Sequence, residues 1–254
     1  MPARYQPHLE FANFICKFGV QFNLADFLQE IVLPAFLDQS LVRETSDAKF
    51  LLLNVKLEEL QTANGPTLCL VGRFLKDTYL QRSYIFENGK LVDAEATLKT
   101  AETALFALTL DTHKLIFLQE TKNAPGTQAF RSTVQRFLNT KYDAFIRALQ
   151  REANSRGISS EADIKEFLKQ HGVFEEGVSV VEESRTDKGE LLTRHRPGSL
   201  AFYRSYVPKP ELTIIPLASE DDLEAFVNRF KVLSVVRVTL VNTNDETDFE
   251  EFIS

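Results

Sequence analysis

Residues 102–138 read ETALFALTLDTHKLIFLQETKNAPGTQAFRSTVQRFL, a stretch that holds the two most apolar strand-like runs of the chain, a tight turn and a strong helix start. ALFALTL (104–110) and KLIFL (114–118) flank Asp111-Thr112-His113. Neither run alternates cleanly with polar residues, so the pair reads as a hairpin buried on both faces. Pro125-Gly126-Thr127 opens a helix in which Phe130, Val134, Phe137 and Leu138 recur at helical spacing. Hairpin and helix are therefore expected to close one core layer together.

Towards the N-terminus, LEFANFICKF (9–18) reads as a first strand, and Asn23 as the cap of a helix with Leu24, Phe27, Leu28, Ile31, Val32, Ala35 and Phe36 near one face. Pro34 lies inside that pattern and is expected to kink the helix or mark its last turn. KFLLLNVKLEEL (49–60) and TLCLVGRFLKD (67–77) follow as strands around Asn64-Gly65-Pro66. YLQRSYIF (79–86) and KLVDAE (90–95) form a further pair through Glu87-Asn88-Gly89, since Asn-Gly is a strong hairpin signal. The first half thus reads as an antiparallel sheet of about five or six strands with packed helices.

The helix that starts at Thr127 continues, with a break expected around Asn139-Thr140, to Gly157. Ser159 or Ser160 caps a short helix carrying Ile164, Phe167 and Leu168. Strands are expected over GVSVVEESR (177–185), ELLTRHR (190–196) and SLAFYRSYV (199–207), then a strand, helix, strand unit over 211–241. The fold class is α+β, with an N-terminal α+β domain over 1–150 and a smaller strand-rich α+β domain over 151–254. The boundary is placed at Arg151 to Arg156.

Among 254 residues, 44% are hydrophobic and 26% charged, which suits a folded chain rather than a disordered one. No run approaches the roughly 18 apolar residues of a membrane span, and the first residues lack the order of a signal peptide, so a cytoplasmic protein is expected. Cys16 and Cys69 sit in apolar runs as buried free thiols. The four histidines are scattered, and no metal site or cofactor is expected. There is no Gly-rich phosphate loop, nucleophile elbow, His-Glu-x-x-His or zinc-spaced cysteine pair, which sets aside the enzyme classes built on them.

Charge is uneven. Residues 1–150 carry 16 Lys and Arg against 16 Asp and Glu, and residues 151–254 carry 13 against 20. An acidic domain repels nucleic acid at long range. Within it, however, Arg185, Lys188, Arg194, Arg196, Arg204 and Lys209 lie among Phe202, Tyr203 and Tyr206, with Asp187 and Glu190 the acids of that segment. On strands, Arg194 and Arg196 share a face, as do Phe202, Arg204 and Tyr206. Cations beside rings suit a phosphate backbone and unstacked bases, so Arg185, Lys188, Arg194, Arg196, Arg204, Tyr206 and Lys209 form a candidate nucleic-acid site. The same arginines also suit pairing with Glu182, Glu183, Glu220, Asp221 or the acidic tail, which is the plainer reading.

A second candidate lies at the far end of the hairpin. Its register places Glu120 near Thr103 and Glu102, with Lys122 on the face of Glu120. Glu102 opposite Glu120-Thr121-Lys122 resembles the core of the restriction-type nucleases, in which carboxylates hold Mg²⁺ and a lysine steadies the reacting groups. The expected preceding Asp is missing, because Asp111 lies at the hairpin tip.

The order of elements also carries a likeness. An N-terminal α/β half leads from its late hairpin through Lys122-Asn123-Ala124-Pro125-Gly126 into a helix ending Arg136-Phe137-Leu138, and a smaller domain closes on Ile214-Ile215-Pro216-Leu217. This layout resembles the RexA component of the phage Rex exclusion system and bacterial proteins of similar layout. The likeness spans most of the chain as a pattern, and no binding or catalytic motif carries across residue by residue. It implies a cytoplasmic phage-exclusion protein that dimerises and binds DNA without strong sequence preference. Three readings follow: a non-enzymatic defence or sensor protein that binds nucleic acid, a Mg²⁺-dependent nuclease using Glu102, Glu120 and Lys122, and a protein-interaction subunit with neither activity.

Overall fold

The computed structural model describes the backbone of residues 7–19, 22–62, 65–87, 90–174, 195–217, 238–240 and 249–251, and side chains within 7–19, 22–61, 65–78, 100–174 and 195–217. The fold is α+β. Its main sheet is antiparallel and built from β1 (His8–Phe18), β2 (Phe22–Asn23), β3 (Arg43–Glu44), β4 (Ala48–Thr62), β5 (Gly65–Glu87), β6 (Lys90–Thr109), β7 (Lys114–Gln119) and β8 (Pro210–Pro216). The order is β2-β1-β7-β6-β5-β4-β3, with β8 also on β1. The helices are α1 (Leu33–Leu37), α2 (Thr127–Ser155), α3 (Glu161–Gln170) and α4 (Leu200–Arg204), and β9 (Val238–Leu240) pairs with β10 (Phe249–Glu251) apart from the main sheet.

The chain divides into two compact units that interleave along the sequence. The first comprises Met1–Phe14, Glu44–Thr127 and Ile214–Ser254, and the second Ile15–Arg43 and Gln128–Thr213. The segment Arg151 to Arg156 falls inside the second unit, at the C-terminal end of α2.

In the first unit, β4 to β7 form a meander. Two expected strands fuse into β5 and two more into β6, and the pair stays in register from Cys69 opposite Thr109 to Glu87 opposite Lys90, with one shift after Arg82. Asp77 and Thr78 extend rather than turn because both face partners on β6, Ala101 and Thr100. The Asn88-Gly89 turn lies outside the described residues. The expected hairpin forms as read, β6 meeting β7 with Phe106 opposite Phe117 and Leu108 opposite Leu115. At its tip Thr109 Oγ1 receives the Lys114 N–H at 3.0 Å, and His113 takes φ 54°.

Both faces of this hairpin carry apolar side chains. Phe74, Ala104, Leu108, Leu115 and Phe117 have no exposed surface and Phe106 only 3%. The rings of Phe50 and Phe74 stack at 5.8 Å, and Phe74 meets Phe117 at 6.5 Å. On the other face Leu60, Cys69, Ala107 and Ile116 form a buried cluster with Leu9, Phe11, Val71 and Leu217 against it. Each such Leu, Ile or Phe contributes about 1.5–3 kcal/mol of burial. A bulge between Leu53 and Lys56 brings β4 so close to Gly72 that a Cβ there would sit 2.9 Å from Val55 Cγ2 and 3.0 Å from its Cα. Only glycine fits this crossing.

In the second unit the N-terminal helical pattern is composite. Asn23 Oδ1 receives the Ala25 N–H at 2.8 Å, as the capping signal implies. A 3₁₀ turn (Ala25–Phe27) and a π turn (Leu28–Val32) then lead into α1, where Pro34 occupies the first turn rather than the last. Proline is tolerated there because its missing N–H has no intrahelical partner to lose. Phe27 gathers Phe18 at 4.4 Å, Phe22 at 5.4 Å and Phe145 at 6.0 Å.

Helix α2 runs unbroken through Asn139-Thr140, since the Thr140 hydroxyl bonds back to the Arg136 carbonyl without displacing the helix. It ends at Gly157 (φ 71°), where the Ile158 N–H reaches the Ala153 carbonyl at 2.9 Å. Ser160 caps α3 by accepting from the Asp163 N–H at 3.1 Å. The expected strand over 199–207 is instead helix α4, with Ser199 Oγ accepting from the Phe202 N–H at 3.2 Å. Both cysteines are buried free thiols, and desolvation pushes the Cys16 thiol up to about 12. Among the described residues no helix is long and apolar enough to cross a membrane.

Candidate nucleic-acid interface

The site is built on α2, which carries Arg131, Arg136, Lys141, Arg147 and Arg151 against Asp143 and Glu152. In its second half Tyr142, Ile146, Leu149 and Ala153 are buried at spacings of four, three and four. Arg136, Arg147 and Arg151 are exposed. Eleven residues are about three turns and four about one, so the three arginines share one face and span roughly 22 Å of helix axis. The other two cations are engaged within the same unit. Arg131 Nε donates to the Leu212 carbonyl at 2.9 Å, and Lys141 Nζ bonds Asp38 Oδ2. That pair and Ser40 hold the Asp38 carboxyl down to about 2.

Residues 198–212 run antiparallel along α2 and are pinned to it repeatedly. Gln150 Nε2 donates to the Gly198 carbonyl at 2.7 Å, and the Tyr142 hydroxyl to the Val207 carbonyl at 2.7 Å. Gln135 donates to the Pro210 carbonyl and accepts from the Leu212 N–H, each at 2.7 Å. Burial pushes the Tyr142 hydroxyl up to about 12, which keeps it a neutral donor. These bonds fix where the cations of the segment fall. Arg196 precedes the turn held by Gln150, Lys209 adjoins the Pro210 held by Gln135, and both are exposed. Arg204 Nη2 donates to Asp143 Oδ1 at 2.7 Å, midway along the arginine face of α2.

Of the residues named from sequence, Arg185, Lys188 and Arg194 lie outside the described residues, as do Glu182, Glu183, Glu220 and Asp221. Because 200–204 is helical, Phe202, Arg204 and Tyr206 do not line one face. Phe202 is buried. Arg204 is exposed, and Tyr206 packs edge-on against Phe202 at 5.0 Å and Phe174 at 5.3 Å, with Lys165 Nζ 5.4 Å from its ring. Tyr206 is thus occupied in packing. Arg136, Arg147 and Arg151 were missed by composition, since the first two lie in residues 1–150, which balance overall, and the third in 151–254, which is acidic. Their spacing along one long helix was the signal.

The charge division also changes when counted by unit. The second unit holds 16 Lys and Arg against 15 Asp and Glu, and the first 13 against 21, because the acidic residues after Ile214 belong to the first. The unit bearing the arginine face is close to neutral.

The hairpin candidate is arranged differently. Glu120 accepts from Thr103 Oγ1 at 2.5 Å and from Arg73 Nε and Nη2 at 3.4 Å each, while Glu102 accepts from Thr121 Oγ1. Thr103 and Glu102 are neighbours on β6 and point to opposite faces, so the two carboxylates do as well. The strand ends at Gln119, and exposed Lys122 lies in the turn beyond, where strand alternation no longer orients it. Glu120 is thus held by Thr103 and Arg73, and Glu102 by Thr121, on opposite faces of β6. Among the described residues no group of three or more His, Cys, Asp or Glu is placed to hold a metal ion.

Comparison of the chain with protein-family models, with curated proteins and with solved structures finds no match.

Proposed function

We propose that this chain binds nucleic acid through its phosphates, without reading sequence, along the face formed by Arg136, Arg147, Arg151, Arg196, Arg204 and Lys209. In the setting that the RexA likeness suggests, it serves as a non-enzymatic defence or exclusion protein, acting as a homodimer or beside a protein partner. The observation that carries this reading is the row of three exposed arginines on α2, in which the one acid, Asp143, is already matched by Arg204. A row of guanidinium groups on a rigid helix meets several phosphates at once and carries no base code.

The test is a titration of unrelated DNA and RNA duplexes and single strands at several salt concentrations. Arg136→Ala, Arg147→Ala and Arg151→Ala together are expected to weaken binding about equally for all sequences. The slope of log affinity against log salt should flatten by roughly 0.7–0.9 for each phosphate that the variant no longer neutralises. Wild-type protein that retards no nucleic acid at low salt would sink the reading.

A further inference from the structure

The outer edge of β4 is open beyond its first residues, since β3, two residues long, is the last strand on that side among the described residues. Its backbone has a defined polarity. The Leu68 carbonyl accepts from the Leu110 N–H at 2.9 Å, so Leu68 and Leu70 turn their peptide groups towards β6. Their partners on β4, Glu59 and Leu57, therefore turn theirs outward, as does Gln61 by alternation. Leu57 and Leu68 lie on one face of this edge, and each is 40% exposed.

The sequence around Leu57 is self-complementary. If a second antiparallel β4 is laid against this edge and centred on Leu57, Leu57 meets its own copy. Lys56 of each copy then meets Glu58 of the other. Charges on an edge strand ordinarily discourage pairing. Here the opposite signs flank the centre symmetrically, so the same charges attract in this one register and repel in its neighbours.

We propose that β4 is a self-association edge, and that two copies of this chain join their sheets through antiparallel pairing about Leu57, with two Lys56–Glu58 ion pairs fixing the register. The interface is of the two-fold kind in which one patch serves both partners. It is independent of the nucleic-acid reading, since no residue is shared.

Sedimentation equilibrium of the full chain from micromolar to submillimolar concentration, at about 0.15 M salt to screen the acidic surface, tests this. The mass should rise towards that of a dimer. Lys56→Glu and Glu58→Lys should each weaken association about tenfold or more by placing like charges opposite. Mixing the two variants should restore it, because each then supplies what the other lacks. Both positions are on the surface, and thermal melts matching wild type confirm folding. A monomer at every concentration, association indifferent to both reversals, or a mixture that fails to recover would each overturn the proposal.

Discussion

Arg204 Nη2 and Asp143 Oδ1 stand 2.7 Å apart, joining α4 to the middle of α2. The pair is 44% and 38% exposed, so breaking it should cost no more than about 1 kcal/mol. Asp143→Asn releases Arg204 and removes the one acid from the row. Tighter nucleic-acid binding with a salt slope steeper by up to about 0.9 is expected. Weaker binding would mean that the pair, rather than the free cation, shapes the face.

Phe106 fills the hairpin core between Phe117 and its neighbours at 3% exposure. Phe106→Ala should destabilise the protein by about 3–5 kcal/mol through lost transfer energy and the cavity left behind. A melt shifted by only a degree or two would place the organising core elsewhere.

Two buried tyrosines of the second unit should respond with opposite signs. The Tyr142 hydroxyl donates to the Val207 carbonyl, and Tyr142→Phe should cost about 0.5–1.5 kcal/mol. The Tyr203 hydroxyl is buried with no partner among the described residues. Tyr203→Phe removes an unmatched polar group, so unfolding by urea should need as much denaturant as in wild type, or more.

Asp38 gives the acid limb of stability an identifiable component. Its carboxyl is held at about 2 by Lys141 and Ser40, below the ordinary value, so its contribution is fully present above pH 4 and is lost as pH falls towards 2. Asp38→Asn should lower stability near neutrality by up to about 1 kcal/mol and flatten the melting temperature between pH 4 and pH 2. An unchanged acid profile would remove the bond from the account.

The hairpin, its turn, the helix start at Thr127, the stop at Gly157 and the Ser160 cap were all legible, because each rests on local chemistry that no distant residue overrides. The segment 199–207 was not. Its apolar residues fit alternation as well as a helical turn, and Ser199 as a cap decided between them. The fused strands β5 and β6 escaped notice because their polar middles break the apolar pattern by composition yet are paired by register. Glu102 and Glu120 looked adjacent in sequence register, but neighbouring residues on a strand point to opposite faces, and only the two threonine bonds reveal which carboxylate went where.

Interleaving of the second unit has a consequence for how the chain is made. Strands β4 to β7 are complete by Gln119, whereas the partners of Gln150, Tyr142, Gln135 and Arg131 lie 48, 65, 75 and 81 residues downstream. At about 5–20 residues per second, α2 waits roughly 2–16 s on the ribosome before those partners are synthesised. During that interval Gln150, Tyr142, Gln135 and Arg131 lack the carbonyls they hold in the fold, and a chain that stalls before Leu212 never supplies the one that Arg131 takes.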